Sequence, residues 1–203
     1  MHATLTLARP VADHPEIAPQ WAPARRWSSA RRVLVAGIGD PFRGDDAFGF
    51  EVSRRLSQRP LPPWVEVVDF ASRGLDLVFA LQQGYEAAVL IDTVRRGEAP
   101  GTLTVIEPDV ERGGEVALDP AALDAVGIVR FARLFGPLPG QVRVVSCEPA
   151  ELPPPGLDPA ARPHMSSPVA EAVRLAVPLV ESLIADLQAS RPEVSSAADG
   201  LRS

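Results

Sequence analysis

The hexapeptide Val33-Leu34-Val35-Ala36-Gly37-Ile38 contains no polar side chain, so as a strand it presents apolar surface on both faces and has to lie between two covering layers. A mainly parallel sheet meets that demand, because its crossover helices shield both faces. The chain repeats the theme. Val65 to Phe70, Ala87 to Ile91, Leu103 to Ile106 and Val142 to Cys147 read as further strands. Between the first two, Phe48, Val52 and Leu56 recur every fourth residue behind Asp45 or Asp46 as helix cap, and Pro60, Pro62 and Pro63 stop that helix. Leu75, Val78 and Leu81 mark one face of a second helix, closed by Gly84. A third runs from about Ala121 to Phe135 and ends at Gly136 and Pro137. The last starts at Ser167-Pro168 and carries Val169, Val173, Val177, Val180 and Leu187, with Pro178 expected to kink it or split it in two. Strands alternating with helices predict a three-layer α/β/α sandwich around a mainly parallel sheet, with ligand-handling loops at the carboxyl ends of the strands.

A chain of 203 residues suits one such domain, expected over residues 31–188. Residues 1–30, with Pro10, Pro15, Pro19 and Pro23 and no periodic pattern, read as a loosely ordered extension, and residues 189–203 as a flexible tail. A net charge of -6 without basic runs argues against nucleic-acid binding. No stretch is apolar enough for a membrane span or a secretory signal, so a cytoplasmic protein is expected. All 20 basic side chains are Arg, which excludes lysine Schiff-base chemistry. The single cysteine, Cys147, falls in an apolar run and reads as a small core residue.

Chemistry concentrates in the segment Gly37-Ile38-Gly39-Asp40-Pro41-Phe42-Arg43-Gly44-Asp45-Asp46-Ala47-Phe48-Gly49. Two glycines between a strand and a helix invite a dinucleotide-binding reading, but Phe42 stands where the third glycine belongs, and the aspartates would repel a pyrophosphate. A cation suits the carboxylates better. Asp46 follows one strand and Asp92 ends another, so both project from one edge of the sheet, where two hard oxygen donors can converge on a metal. Asp40 and Asp45 rank behind them. The structural alternative for each is a helix cap or a strand-terminating loop residue.

The first loop, followed by Ser72-Arg73-Gly74-Leu75-Asp76-Leu77, Val89-Leu90-Ile91-Asp92-Thr93-Val94, Pro100-Gly101-Thr102-Leu103 and Cys147-Glu148-Pro149, resembles in order and spacing the nickel-iron hydrogenase maturation endopeptidases. The resemblance extends from about Arg32 to Leu187. It implies a phosphorylase/hydrolase-like fold and a monomeric enzyme that clips a C-terminal peptide from the hydrogenase large-subunit precursor after assembly of its metal centre. The precursor's nickel would be the recognition element, replaceable by another divalent metal. It further implies that a first-loop carboxylate, mapping to Asp46, a second at the end of the later strand, mapping to Asp92, and a histidine contact metal at the cleavage site. The histidine's place falls on Ala121, which has no donor atom. His2 and His14 lie in the extension, leaving His164 as the substitute ligand to test. No nucleophilic serine or cysteine is supported, so a metal or a carboxylate is expected to polarise the scissile carbonyl and activate water. A catalytically impaired maturation partner or scaffold, favoured by Ala121, is the alternative function.

Overall fold

Strand β1 (Val33–Ile38) lies inside the sheet of the computed structural model, which describes residues 32–109, 124–153 and 163–189, and all its residues are buried. Its parallel neighbours are β2 (Val65–Ala71) and β3 (Ala87–Thr93). Beyond β3 comes β5 (Gln141–Cys147), again parallel, and β4 (Leu103–Ile106) closes that edge antiparallel, giving the order β2-β1-β3-β5-β4. The expected mainly parallel sheet is therefore present.

Successive strand residues point to opposite faces, and that parity sorts the two helical layers. Leu34, Ala36 and Ile38 of β1, with Ala88 and Leu90 of β3, share a core with α2 (Gly74–Leu81) and α3 (Ala125–Arg133). Val35, Val89, Ile91 and Cys147 share the other with α1 (Phe48–Leu56) and α4 (Ser167–Ala189). Phe48, Val52 and Leu56 are all fully buried. Each such side chain is worth about 1.5–3 kcal/mol relative to leaving it in water.

Helix α1 presses directly on the strands. A Cβ on Gly49 would lie 2.2 Å from the Ile38 carbonyl oxygen and 2.3 Å from that of Ile91, and one on Gly37 would lie 2.5 Å from the Gly49 carbonyl oxygen. These glycines serve contact between helix and strand backbones and leave no room for a cradled phosphate.

Four expectations change. Neither Asp45 nor Asp46 caps α1: both sit in a 3-10 turn, Gly44–Ala47, and the helix starts behind Ala47 with no side-chain cap, because both carboxylates are engaged elsewhere. On α2 the buried stripe is Leu77, Val78, Ala80 and Leu81, whereas Leu75 is exposed, since a helix lying against a sheet hides only one side. Helix α3 begins at Ala125 behind Asp124, whose side chain accepts the Gly127 N–H; Ala121 lies outside the described residues. Helix α4 starts at Ser167 as expected but runs as one element through Pro178 rather than splitting there, and the Ala170 N–H donates to the Ser166 carbonyl. The expected extension and the tail beyond Ala189 lie outside the described residues, Ala189 itself being the last residue of α4.

Candidate active site

Chain order and strand order part company between β1 and β3. The chain leaves β1 for β2 on one side, and leaves β3 for β4 and β5 on the other. Connections that diverge in this way open a crevice at the carboxyl ends of the two strands, the usual place for a ligand in an open α/β sheet.

One wall comes from β1. Gly39 adopts a φ of 111°, and a Cβ there would lie 1.9 Å from the Asp46 carbonyl oxygen. Only glycine lets the loop fold back this tightly. The fold-back places Asp46 Oδ2 3.1 Å from the Asp40 N–H, with the Arg43 guanidinium at 3.8 Å. Asp40 itself closes a local turn by accepting the Phe42 N–H at 2.9 Å.

The other wall is the end of β3. Asp92 shares the parity of Leu90 and so faces α3, where it is 4% exposed. Its Oδ1 accepts the Thr93 N–H and its Oδ2 the Ala125 N–H, both at 2.8 Å. The second bond comes from the first turn of α3, whose dipole also favours a negative charge. Burial nevertheless dominates and pushes the carboxyl up to about 8; the two backbone N–H groups oppose the shift, and the charges of Asp46 and Asp124 add to it. Burial thus favours the protonated form of Asp92 near neutral pH.

Thr93 has the opposite parity and turns toward the α1 side, with its hydroxyl 3.5 Å from Asp46 Oδ1, a long contact. Thr93 therefore reaches both acids, by its amide to Asp92 and by its hydroxyl toward Asp46. The structure sets Asp46 just beyond β1 and Asp92 at the end of the neighbouring β3, each in contact with Thr93, and near enough for the charge of Asp46 to act on Asp92. Thr93 was not singled out from sequence, although the period of two in β3 carries the signal.

Asp45 does not join this pair. It is 3% exposed, and its carboxylate accepts the N–H groups of Ala150 (2.8 Å), Glu151 (3.2 Å) and Ser166 (2.6 Å) and the Ser166 hydroxyl (3.0 Å). Its oxygens are used in fastening the first loop to the segment after β5 and to the start of α4. As a second-rank metal candidate it is corrected to a structural clamp.

His164 is exposed and lines a cavity of about 310 Å³ together with Gly44, Asp45, Glu151 and Pro163. Among the described residues no three His, Cys, Asp or Glu side chains are grouped to hold a metal ion. Two carboxylates alone suit a cation that arrives with ligands of its own. Cys147 is fully buried, as expected of a core residue, and burial, aided by the charges of Asp45 and Glu148, pushes its thiol up to about 12. A thiolate nucleophile is thereby disfavoured. Among the described residues no helix is long and apolar enough to cross a membrane.

Comparison with known proteins gives a consistent result. A family model described as hydrogenase maturation protease matches residues 50–183, a span that takes in Asp92. The hydrogenase expression/formation protein HupD of Rhodobacter capsulatus is 32% identical over 149 residues, 70% of either chain. The hydrogenase 2 maturation protease of Escherichia coli is 28% identical over 165 residues, 80% of this chain and 94% of that one. Among solved structures, a hydrogenase 2 maturation peptidase from a Thaumarchaeota archaeon is 32% identical with a TM-score of 0.53, covering 76% of this chain and 98% of its own. The hydrogenase maturating endopeptidase HybD of Escherichia coli shares the fold at 23% identity and a TM-score of 0.60, over 78% and 93% of the two chains.

Proposed function

Because the chain belongs to the hydrogenase maturation protease family, we propose that this peptide-bond hydrolase removes a C-terminal peptide from a nickel-loaded hydrogenase large-subunit precursor, with Asp46 and Asp92 meeting the precursor's metal. The observation that carries the reading is the placement of two carboxylates, 46 residues apart in sequence, on either side of Thr93 in the crevice between β1 and β3. The matched family model and the Escherichia coli relative are named as proteases, which favours cleavage over the scaffold alternative.

Nickel arrives as part of the substrate. Asp46 and Asp92 offer two oxygen donors, and the remaining positions fall to donors of the precursor itself. A cation beside Asp92 offsets the cost of burying its charge, so a precursor without metal meets a neutral carboxyl and a weaker site. Asp46, partly exposed beside Arg43, is the residue best placed to take a proton from an attacking water. Thr93 holds the spacing of the two acids. His164, exposed at the cavity it shares with Asp45, is the imidazole available to the bound precursor. A monomeric enzyme working in the cytoplasm completes the reading, on the strength of the family resemblance.

The test incubates nickel-loaded and nickel-free precursor with the wild-type protein, Asp46→Ala and Asp92→Ala, and follows release of the C-terminal peptide by mass spectrometry. Cleavage of the loaded precursor by the wild type alone is expected. Binding without cleavage by the wild type would replace the protease reading with the scaffold. A His164→Ala variant that binds the loaded precursor as tightly as the wild type removes His164 from the site.

A further inference from the structure

Glu148 follows β5 at the same rim and is only 8% exposed. Its carboxylate accepts the backbone N–H groups of Arg96 at 2.7 Å and Gly97 at 3.3 Å. Its carbonyl accepts the Gly101 N–H at 2.8 Å, its own N–H donates to the Thr102 carbonyl at 3.0 Å, and the preceding Cys147 carbonyl accepts the Val94 N–H at 3.1 Å. Two consecutive residues therefore hold the beginning, middle and end of the loop Val94–Gly101.

That loop is exposed at every residue from Arg95 to Pro100, so no buried side chain within it fixes its shape. Its hydrogen bonds do so instead. Taking a carboxylate out of water is costly unless it is fully hydrogen-bonded. Here the cost is accepted to order a segment that faces solvent and begins one residue beyond Thr93. Arg95 reaches back to the Leu152 carbonyl at 3.3 Å, whereas the guanidinium of Arg96 makes no ion pair among the described residues. Ordering a loop in advance removes an entropic cost from whatever binds it, an advantage realised only if something does.

We propose that Val94–Gly101 is a docking rim for the precursor, that Arg96 donates hydrogen bonds to oxygen acceptors of the precursor beside the bond to be cut, and that Glu148 is the positioning residue that keeps the rim in its receiving shape. The inference rests on the endopeptidase reading. Glu148 acts only through the loop and touches no reacting atom.

The experiment measures kcat and KM of the wild type, Glu148→Ala, Glu148→Gln and Arg96→Ala on nickel-loaded precursor, with hydrogen exchange at the Arg96 and Gly97 amides and thermal unfolding alongside. For Glu148→Ala a rise in KM of about tenfold is expected, with kcat held within about twofold and faster exchange at both amides. Glu148→Gln keeps one acceptor oxygen and should fall between. Arg96→Ala should raise KM while leaving exchange and unfolding as in the wild type. A loop released in Glu148→Ala with KM unmoved overturns the proposal, as does an Arg96→Ala enzyme of unchanged KM. Should Glu148→Ala fail to fold, Arg96→Ala and Glu148→Gln decide. Failure of the wild type to cut the precursor overturns the endopeptidase reading; cutting with KM unmoved in the variants overturns the docking rim alone.

Discussion

The two ends of the sheet treat charge in opposite ways. At the amino ends of the strands, Arg32 pairs with Glu66, donates to the Tyr85 hydroxyl at 2.8 Å and lies 4.2 Å above the Tyr85 ring. The Tyr85 hydroxyl in turn donates to Glu66 at 2.9 Å, so cation, anion and phenol satisfy one another. At the carboxyl ends, Asp92 is buried on two backbone N–H groups and, among the described residues, no cation, with Asp46 close enough for its charge to weigh on it. A cluster that neutralises itself contributes to stability and has nothing left to offer a ligand. A buried acid without a counter-charge costs stability and is retained where something that binds will supply the charge.

The sharpest way to break this contrast is to remove one acid from either end. Asp92→Asn should lower cleavage of the nickel-loaded precursor by about a thousandfold, or about 4 kcal/mol in the barrier, whereas Glu66→Gln should leave it within about twofold. Equal losses in the peptide-release assay would dissolve the distinction between the two ends. The second effect appears in stability against pH. Below the unfolded-state value of 3.8 Asp92 is protonated in both states and contributes no difference. Above it the unfolded chain releases the proton while the folded one holds it until about 8, so the unfolded state gains ground through that window. Denaturant titrations should therefore show the wild type losing several kcal/mol relative to Asp92→Asn between about pH 4 and pH 8, then running parallel.

Asp45 sharpens the comparison from within the carboxyl end, because its carboxylate is spent on neighbours. Asp45→Ala strands three backbone N–H groups and the Ser166 hydroxyl, and should cost about 3 kcal/mol in urea unfolding. Asp46→Ala should cost less than about 1 kcal/mol in the same assay while abolishing cleavage. The smallest effect belongs to the amino end. Tyr85→Phe keeps the ring under Arg32 and removes one hydroxyl, so about 1 kcal/mol of stability should be lost with cleavage unchanged.

Much of the framework was legible in the residues. The run from Val33 to Ile38 announced a strand covered on both faces, and Phe48, Val52 and Leu56 announced the buried side of α1, because burial of apolar area follows directly from the spacing of side chains. That Asp46 lies just beyond one parallel strand and Asp92 at the end of another was legible, since both positions follow from the apolar runs that precede them. Asp45 was not: as a helix cap it would act locally, but its partners lie 105, 106 and 121 residues away, beyond the reach of any pattern along the chain. Leu75 failed for a related reason. The spacing fits a helical face, but which face meets the sheet depends on how α2 docks.

The amino-acid sequence by itself determined that strands and helices alternate, that both faces of the sheet are covered, and which loops carry acids, because each rests on local periodicity and on the cost of exposing apolar surface. Tertiary structure decided which acid faces which. Strand parity turned Asp92 toward α3 and Thr93 toward Asp46, the Gly39 fold-back drew Asp46 onto the start of its own loop, and burial raised the Asp92 carboxyl. Proximity, exclusion of water and the direction of a side chain at a rim belong to the packed whole, since each is set by groups that meet only after the chain has folded.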